Sequence, residues 1–227
     1  MRHASLAALL VAAPLAAFPL AAQQPAAQPA AQPAAQADPD KPAAGGVTAP
    51  GWTARFDKPS AQASQVTVAK MGGGLHVTTG PSGIFYDAKS KAKGDYTATA
   101  TFTQTKASAH PEAYGLFVGG SDLQGPAQRY LYFVVRQDGK YTIKHRAGTE
   151  VHTLVDWTES PAVKAVADAG KATNALTVRA AGGNVKFLVN GTEVASLPRA
   201  KAMDVDGIVG LRVNHNLDVH VEGFSVK

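Results

Sequence analysis

Alternation of apolar and polar positions with period two runs through the chain from about residue 47 onward. In "DYTATATFTQT", Tyr96, Ala98, Ala100 and Phe102 fall on one face and Thr97, Thr99, Thr101 and Thr103 on the other, the pattern of a half-buried strand. "VTVAKMGGGLHVTT" reads as two strands joined through Gly72, Gly73 and Gly74, and "GPSGIFYD" as a turn entering a strand at Ile84. The three glycines are not a phosphate loop, because no helix start and no Lys-Ser or Lys-Thr pair follows them.

Two dipeptides mark hairpins. Asp138-Gly139, inside "YLYFVVRQDGKYTIKHR", suits a two-residue turn with positive φ at both positions. That turn pairs Arg136 with Tyr141, Val134 with Ile143 and Tyr132 with His145 on one face, and Phe133 with Lys144 and Leu131 with Arg146 on the other. Asn190-Gly191, inside "NVKFLVNGTEVASL", likewise pairs Phe187 with Val194 and Leu188 with Glu193. Helix signal is confined to "SPAVKAVADAGKA", where Pro161 stands near a first turn. About ten to thirteen short strands with glycine-rich turns predict an all-β fold, a two-sheet antiparallel jelly-roll sandwich.

The N-terminus departs from this pattern. Arg2 and His3 precede the apolar run "LAALLVAAPLAAFPLAA", which gives way to Gln23 and Gln24. Residues 1–22 are therefore read as a secretory signal peptide, and the protein as exported, periplasmic or secreted. The run is too short to span a bilayer, so no membrane insertion is expected. Residues 23–46 carry a Pro-Ala-Ala-Gln repeat without large apolar side chains and read as a disordered linker. Residues 47–227 are then a single domain, long enough to bury about 70% of its unfolded surface. No cysteine occurs, so stability has to come from the core. The formal charge of +5 falls by one with the loss of Arg2. Lysines and arginines are scattered along the sequence and not interleaved with aromatics, which argues against nucleic acid as a partner.

The second half, "NALTVRAAGGNVKFLVNGTEVASL" followed by "GIVGLRV" and "VHVEGFSVK", resembles the concanavalin A-like lectin and glucanase superfamily. The likeness is to its laminin-G-like branch and to the exported bacterial domains grouped as 3-keto-disaccharide hydrolase-like. The resemblance implies two antiparallel sheets, one of them curved so that its concave face holds a saccharide or glycoconjugate. It also implies no cofactor, with room for a structural calcium ion, for which Asp122, Asp138, Asp204 or Asp206 would supply oxygens. The Glu-x-Asp-x-(x)-Glu strand motif of the glucanases does not occur, which disfavours ordinary two-carboxylate hydrolysis. The hydrolase-like domains carry a Gly-Leu-Gln-x-His-Gly pattern near their end. Here Gly210-Leu211 is followed by Arg212, and His215 is displaced by one position.

These readings select the site candidates. Arg212 and His215 lie in "VGLRVNHNLDVHV", where a three-residue connection at Asn214-His215-Asn216 would oppose Val213 to Leu217 and Arg212 to Asp218. A different register between the closing strands remains open. His110 and Glu112 sit at a strand entry, Tyr132 on a strand, and Trp157, ahead of the non-strand "TESPAV", on a loop at the mouth. Histidine spacing gives no metal site. The leading expectation is a non-catalytic carbohydrate-binding module. The alternatives are a hydrolase or lyase acting on 3-keto-disaccharides, with Arg212, His215, His110 and Glu112 in its site, or an adhesion module without a small ligand.

Overall fold

A computed structural model describes residues 39–41, 43–166, 170–203 and 205–227. Its strands are β1 (Gly46–Val47), β2 (Trp52–Phe56), β3 (Val66–Met71), β4 (Gly74–Thr79), β5 (Gly83–Asp87), β6 (Lys91–Ala92), β7 (Tyr96–Gln104) and β8 (Ala113–Ser121). They continue as β9 (Arg129–Arg136), β10 (Lys140–Ala147), β11 (Glu150–Glu159), β12 (Ala172–Ala181), β13 (Asn184–Val189), β14 (Thr192–Pro198), β15 (Gly207–Val213) and β16 (Asp218–Val226). The first sheet runs β1-β3-β4-β16-β7-β12-β13-β14 and the second β11-β10-β9-β8-β15-β5-β2, with β6 beside β15. All pairs are antiparallel except β1 with β3. This is the two-sheet jelly-roll sandwich that the alternation predicts.

The core forms where the inward rows of the two sheets meet. Ala98, Ala100 and Phe102 of β7 and Val178 and Phe187 of the neighbouring strands pack against Tyr114, Leu116, Leu131 and Phe133 of the second sheet. The rings of Phe133 and Phe187 meet edge to face at 5.3 Å across the interface. The threonines of β7 take the opposite face, where Thr99 and Thr177 share a hydrogen bond of 3.1 Å.

Local chemistry corrects several expectations. At Asp138-Gly139 only Gly139 takes positive φ, 80°, so the loop holds three residues and Arg136 pairs with Lys140. The register therefore moves by one: Lys144 faces Tyr132, Arg146 faces Tyr130, and His145 pairs with Leu131 and points into the core side. The reason is the difference between a two-residue turn and a type I turn closed by a left-handed glycine. Asp138 favours the latter by accepting from Arg136 Nε at 2.7 Å. At Asn190-Gly191 both residues take positive φ, and Leu188 pairs with Glu193 as expected; a bulge then sets Phe187 opposite Ala195, not Val194. The helix signal at "SPAVKAV" yields turns and no helix over its described residues; the one described α-helix is Arg199–Ala202.

The largest correction concerns the closing strands. β15 and β16 do not pair: β15 lies between β8 and β5 in the second sheet, β16 between β4 and β7 in the first. Asn214–Leu217 is an arch between sheets, closed by the Thr79 hydroxyl donating to the Asn214 carbonyl at 2.5 Å. Two in-facing rows that each continue an apolar pattern can be buried in two different sheets as well as in one hairpin. Residues 39–41 and 43–46, read as linker, lie against the domain. Lys41 N–H donates to Asn216 Oδ1 at 2.7 Å, Ala43 N–H to the Gln65 carbonyl at 3.1 Å, and Gly46 pairs with Thr67. The signal-peptide reading falls outside the described residues.

Gly115 gives a direct test of this packing. A Cβ there would sit 2.2 Å from the Phe133 carbonyl oxygen and 2.9 Å from Leu176 Cδ2, and its register partner is Arg212. Replacing Gly115 by Ala is expected to cost about 1–3 kcal/mol in urea unfolding; an unchanged midpoint would contradict the strand spacing.

Candidate functional site

Strands β8 and β9 are buried on both faces, which a sheet with one wet side does not require. Leu131, Phe133 and Val135 face the core, while Tyr130, Tyr132 and Val134 face outward and are nevertheless buried. They join Ile84, Tyr86, Phe117 and Leu123 in a second apolar cluster, with Trp157 and Ile208 packed on it. Leu123 comes from the loop between β8 and β9, which folds over this outer face. Gln124 Nε2 donates to Tyr86 Oη at 2.7 Å, and Arg55 Nη1 to the Gln124 carbonyl at 2.8 Å.

Arg212 projects onto the same face from near the end of β15. Its guanidinium takes Asp57 in a two-pronged pair, Nη1 to Oδ1 at 2.7 Å and Nη2 to Oδ2 at 2.5 Å, and lies over the Tyr132 ring at 5.5 Å. Arg146 Nη2 reaches Asp57 Oδ1 at 3.4 Å. Burial alone would raise the Asp57 carboxyl, but the charge and hydrogen bonds of Arg212, with Arg146 and Arg55 behind it, outweigh that and hold it below the usual carboxylate range. Burial would lower the Arg212 guanidinium, and Asp57 more than reverses this. Burial pushes up the phenols of Tyr130 and Tyr132, so both stay neutral donors and ring surfaces.

Glu112 and His215 meet at the end of this face, Nδ1 to Oε1 at 3.2 Å. Burial raises the Glu112 carboxyl, against the opposing pull of His215, a hydrogen bond from Asn214 and the charges of His110 and Arg212. His110 itself is exposed, on the loop whose Ser108 hydroxyl donates to its carbonyl at 2.5 Å.

Trp157 lies inside β11, not on a loop. The strand continues through Glu159 because it pairs with β10 to that point. Arg136 stacks over its ring at 4.2 Å and Lys144 stands at 5.9 Å. The fold thus brings Arg212, Tyr132, His215 and Glu112 onto one side of the second sheet, with His110 beside Glu112 and Trp157 farther along. It does not pair Arg212 with Asp218: Asp218 belongs to the first sheet, where it meets His76 at 3.3 Å and Lys106 at 3.4 Å. His220 lies there too, 6.3 Å from His76 between ring centres. Trp52 packs on Phe224 at 5.5 Å, and the Tyr114 ring lies 5.5 Å from that of Phe102 in the core.

Asp57 and Arg146 are not singled out by sequence pattern. Asp57 is 155 residues from its partner, and only the continuous apolar run "YLYFVV" hinted that the outward tyrosines would be covered. The oxygens considered for calcium are dispersed. Asp138 binds Arg136, Asp206 binds Arg199, Asp122 accepts from Ala127 N–H at 3.0 Å, and Asp204 lies outside the described residues. Among the described residues no three His, Asp or Glu side chains converge as a metal site.

No known family model matches the sequence, and no curated protein matches it. Solved structures share the fold. The carbohydrate-binding module CBM66 from Bacillus subtilis superposes with a TM-score of 0.58 at 13% identity, covering 78% of this chain and 95% of the module. A protein of unknown function with a galectin-like fold from the same organism gives 0.56 at 13% identity, covering 77% and 88%. A family 16 endo-glucanase from Bacteroides ovatus gives 0.54 at 12% identity, covering 78% and 94%. The fold is therefore the concanavalin A-like jelly roll.

The Asp57 pair makes stability pH-dependent with a defined sign. A carboxyl lowered on folding stabilises above its unfolded value, about pH 4, and that contribution is lost as pH falls through the lower folded value. Asp57→Asn leaves Arg212 uncompensated, and with the Asp57 side chain 28% exposed the cost is set at about 2–3 kcal/mol near pH 7. Urea unfolding at neutral and acid pH should show that difference shrinking towards pH 3; a constant difference would remove the pair from the stability account.

Proposed function

We propose that the protein is an exported module that binds a saccharide or glycoconjugate on the outer face of its second sheet, without turning it over. The observation that carries this reading is the convergence of the partly exposed Trp157 ring with planar polar groups, Asp57 and Arg146, on one sheet face, beside the buried ring of Tyr132. Pyranose rings offer an apolar face for aromatics and edge hydroxyls for planar, two-pronged partners. Arg212 is largely buried, its side chain 7% exposed, so its part is to fix Asp57 and cover the Tyr132 ring, while the partly exposed Asp57, Arg146 and Trp157 meet the ligand. Similarity of fold to a carbohydrate-binding module points the same way. The export part of the proposal rests on the N-terminal sequence.

One observation favours hydrolysis as the second reading: Glu112 and Asp57, on the same face, are held in environments that push their carboxyls in opposite directions, as an acid and its partner require.

A glycan array followed by calorimetry on the best ligand separates the two. Trp157→Ala should weaken binding about tenfold, from lost ring contact, with no release of reducing sugar by either protein. Undiminished affinity would remove Trp157 from the site, and sugar release abolished by Glu112→Gln would replace binding by hydrolysis.

A further inference from the structure

Positive charge that is dispersed in the sequence is gathered on this sheet face. The Asp57 carboxylate lies in the field of three guanidiniums, those of Arg212, Arg146 and Arg55. Its two oxygens are both taken by Arg212, and Arg146 approaches only one of them, at 3.4 Å. Arg55 spends its hydrogen bond on a neutral carbonyl, that of Gln124. One negative charge is thus shared among three positive ones. Farther along, Lys144 stands beside Tyr132 in the β9–β10 ladder and near the Trp157 ring, and among the described residues it forms no ion pair. The opposing acids are committed: Glu112 to His215, and Asp138 to Arg136.

Resting on the saccharide-binding reading above, we propose that this face selects acidic saccharides, those carrying uronic carboxylates, over neutral ones. Arg146 supplies charge that Asp57, already held by Arg212, leaves unbalanced, and the guanidinium fork matches a planar carboxylate in two-pronged geometry. Trp157 supplies ring surface to the pyranose that bears it. Neutral sugars use the same ring and hydroxyl partners but leave the surplus charge unanswered.

Calorimetry with tetragalacturonate, its full methyl ester and cellotetraose, at about 20 mM and about 200 mM sodium chloride, tests this with three chemically graded probes. The acid should bind about ten- to a hundredfold more tightly than its ester at low salt, the range expected for hydrogen bonds to a charged group, and the gap should narrow at high salt. Arg146→Gln should bring the acid to the affinity of the ester while leaving the ester's own binding in place. Equal affinity of acid and ester would overturn the charge selection and leave the saccharide reading standing. A preference for acid that survives in Arg146→Gln would also overturn it, since the advantage would then arise elsewhere. Failure of all three to bind a protein with a native near-ultraviolet spectrum would sink both readings.

Discussion

A guanidinium in the middle of a sheet has to be answered by a carboxylate, and much of the second sheet is arranged around that requirement. Arg212 sits between Gly115 and Ile84 in the ladder. Asp57 stands directly after β2 and meets Arg212 with both carboxylate oxygens. Removing a charge from water costs several kcal/mol unless its hydrogen bonds are met. The pair therefore holds β15 to the edge strand β2 across β5. It also fixes the platform of Tyr130 and Tyr132, because Arg212 lies over one ring and Arg146, the second contact of Asp57, stands beside the other.

The same pair explains why the outer face is both buried and polar. Tyrosines satisfy this mixture, since each ring buries apolar area and each phenol keeps a polar tip. Leu123 and Gln124 bring the β8–β9 loop down onto the cluster, so the edge of the face is shaped by a loop whose own backbone is fixed at Asp122, with φ of 46°. Aromatic surface, a fixed acid and surplus arginine thus share one place for one physical reason.

The architecture was legible in the sequence because alternation encodes which side of a strand is dry. β7 follows its reading residue by residue, with Tyr96 to Phe102 inside and the threonines outside. Register was less legible, since Asp138-Gly139 is compatible with loops of two or three residues, and one residue of difference exchanges His145 for Lys144 beside Tyr132. Arg212, Tyr132, Glu112 and His215 were found from local cues. Asp57, Arg146 and Arg55 were not, because no local pattern says which distant charges will be neighbours once strands far apart in sequence are laid side by side. The apparent scatter of basic residues along the chain has the same origin: β2 lies beside β5 and β15 between β8 and β5, strands far from them in order.

The arch at Asn214–Leu217 has a consequence for how the molecule is made. It delivers β15 to the interior of one sheet and β16 to the interior of the other, each between strands synthesised long before. Until those two strands arrive, β4 has no partner on its inner side, β7 is separated from it, and β8 and β5 remain unjoined. Both halves of the sandwich are therefore open along their centres until β15 and β16 have been made. Such long-range closure favours slow, late folding. Closure of the sandwich is a zipping step in which residues 207–226 complete two sheets at once.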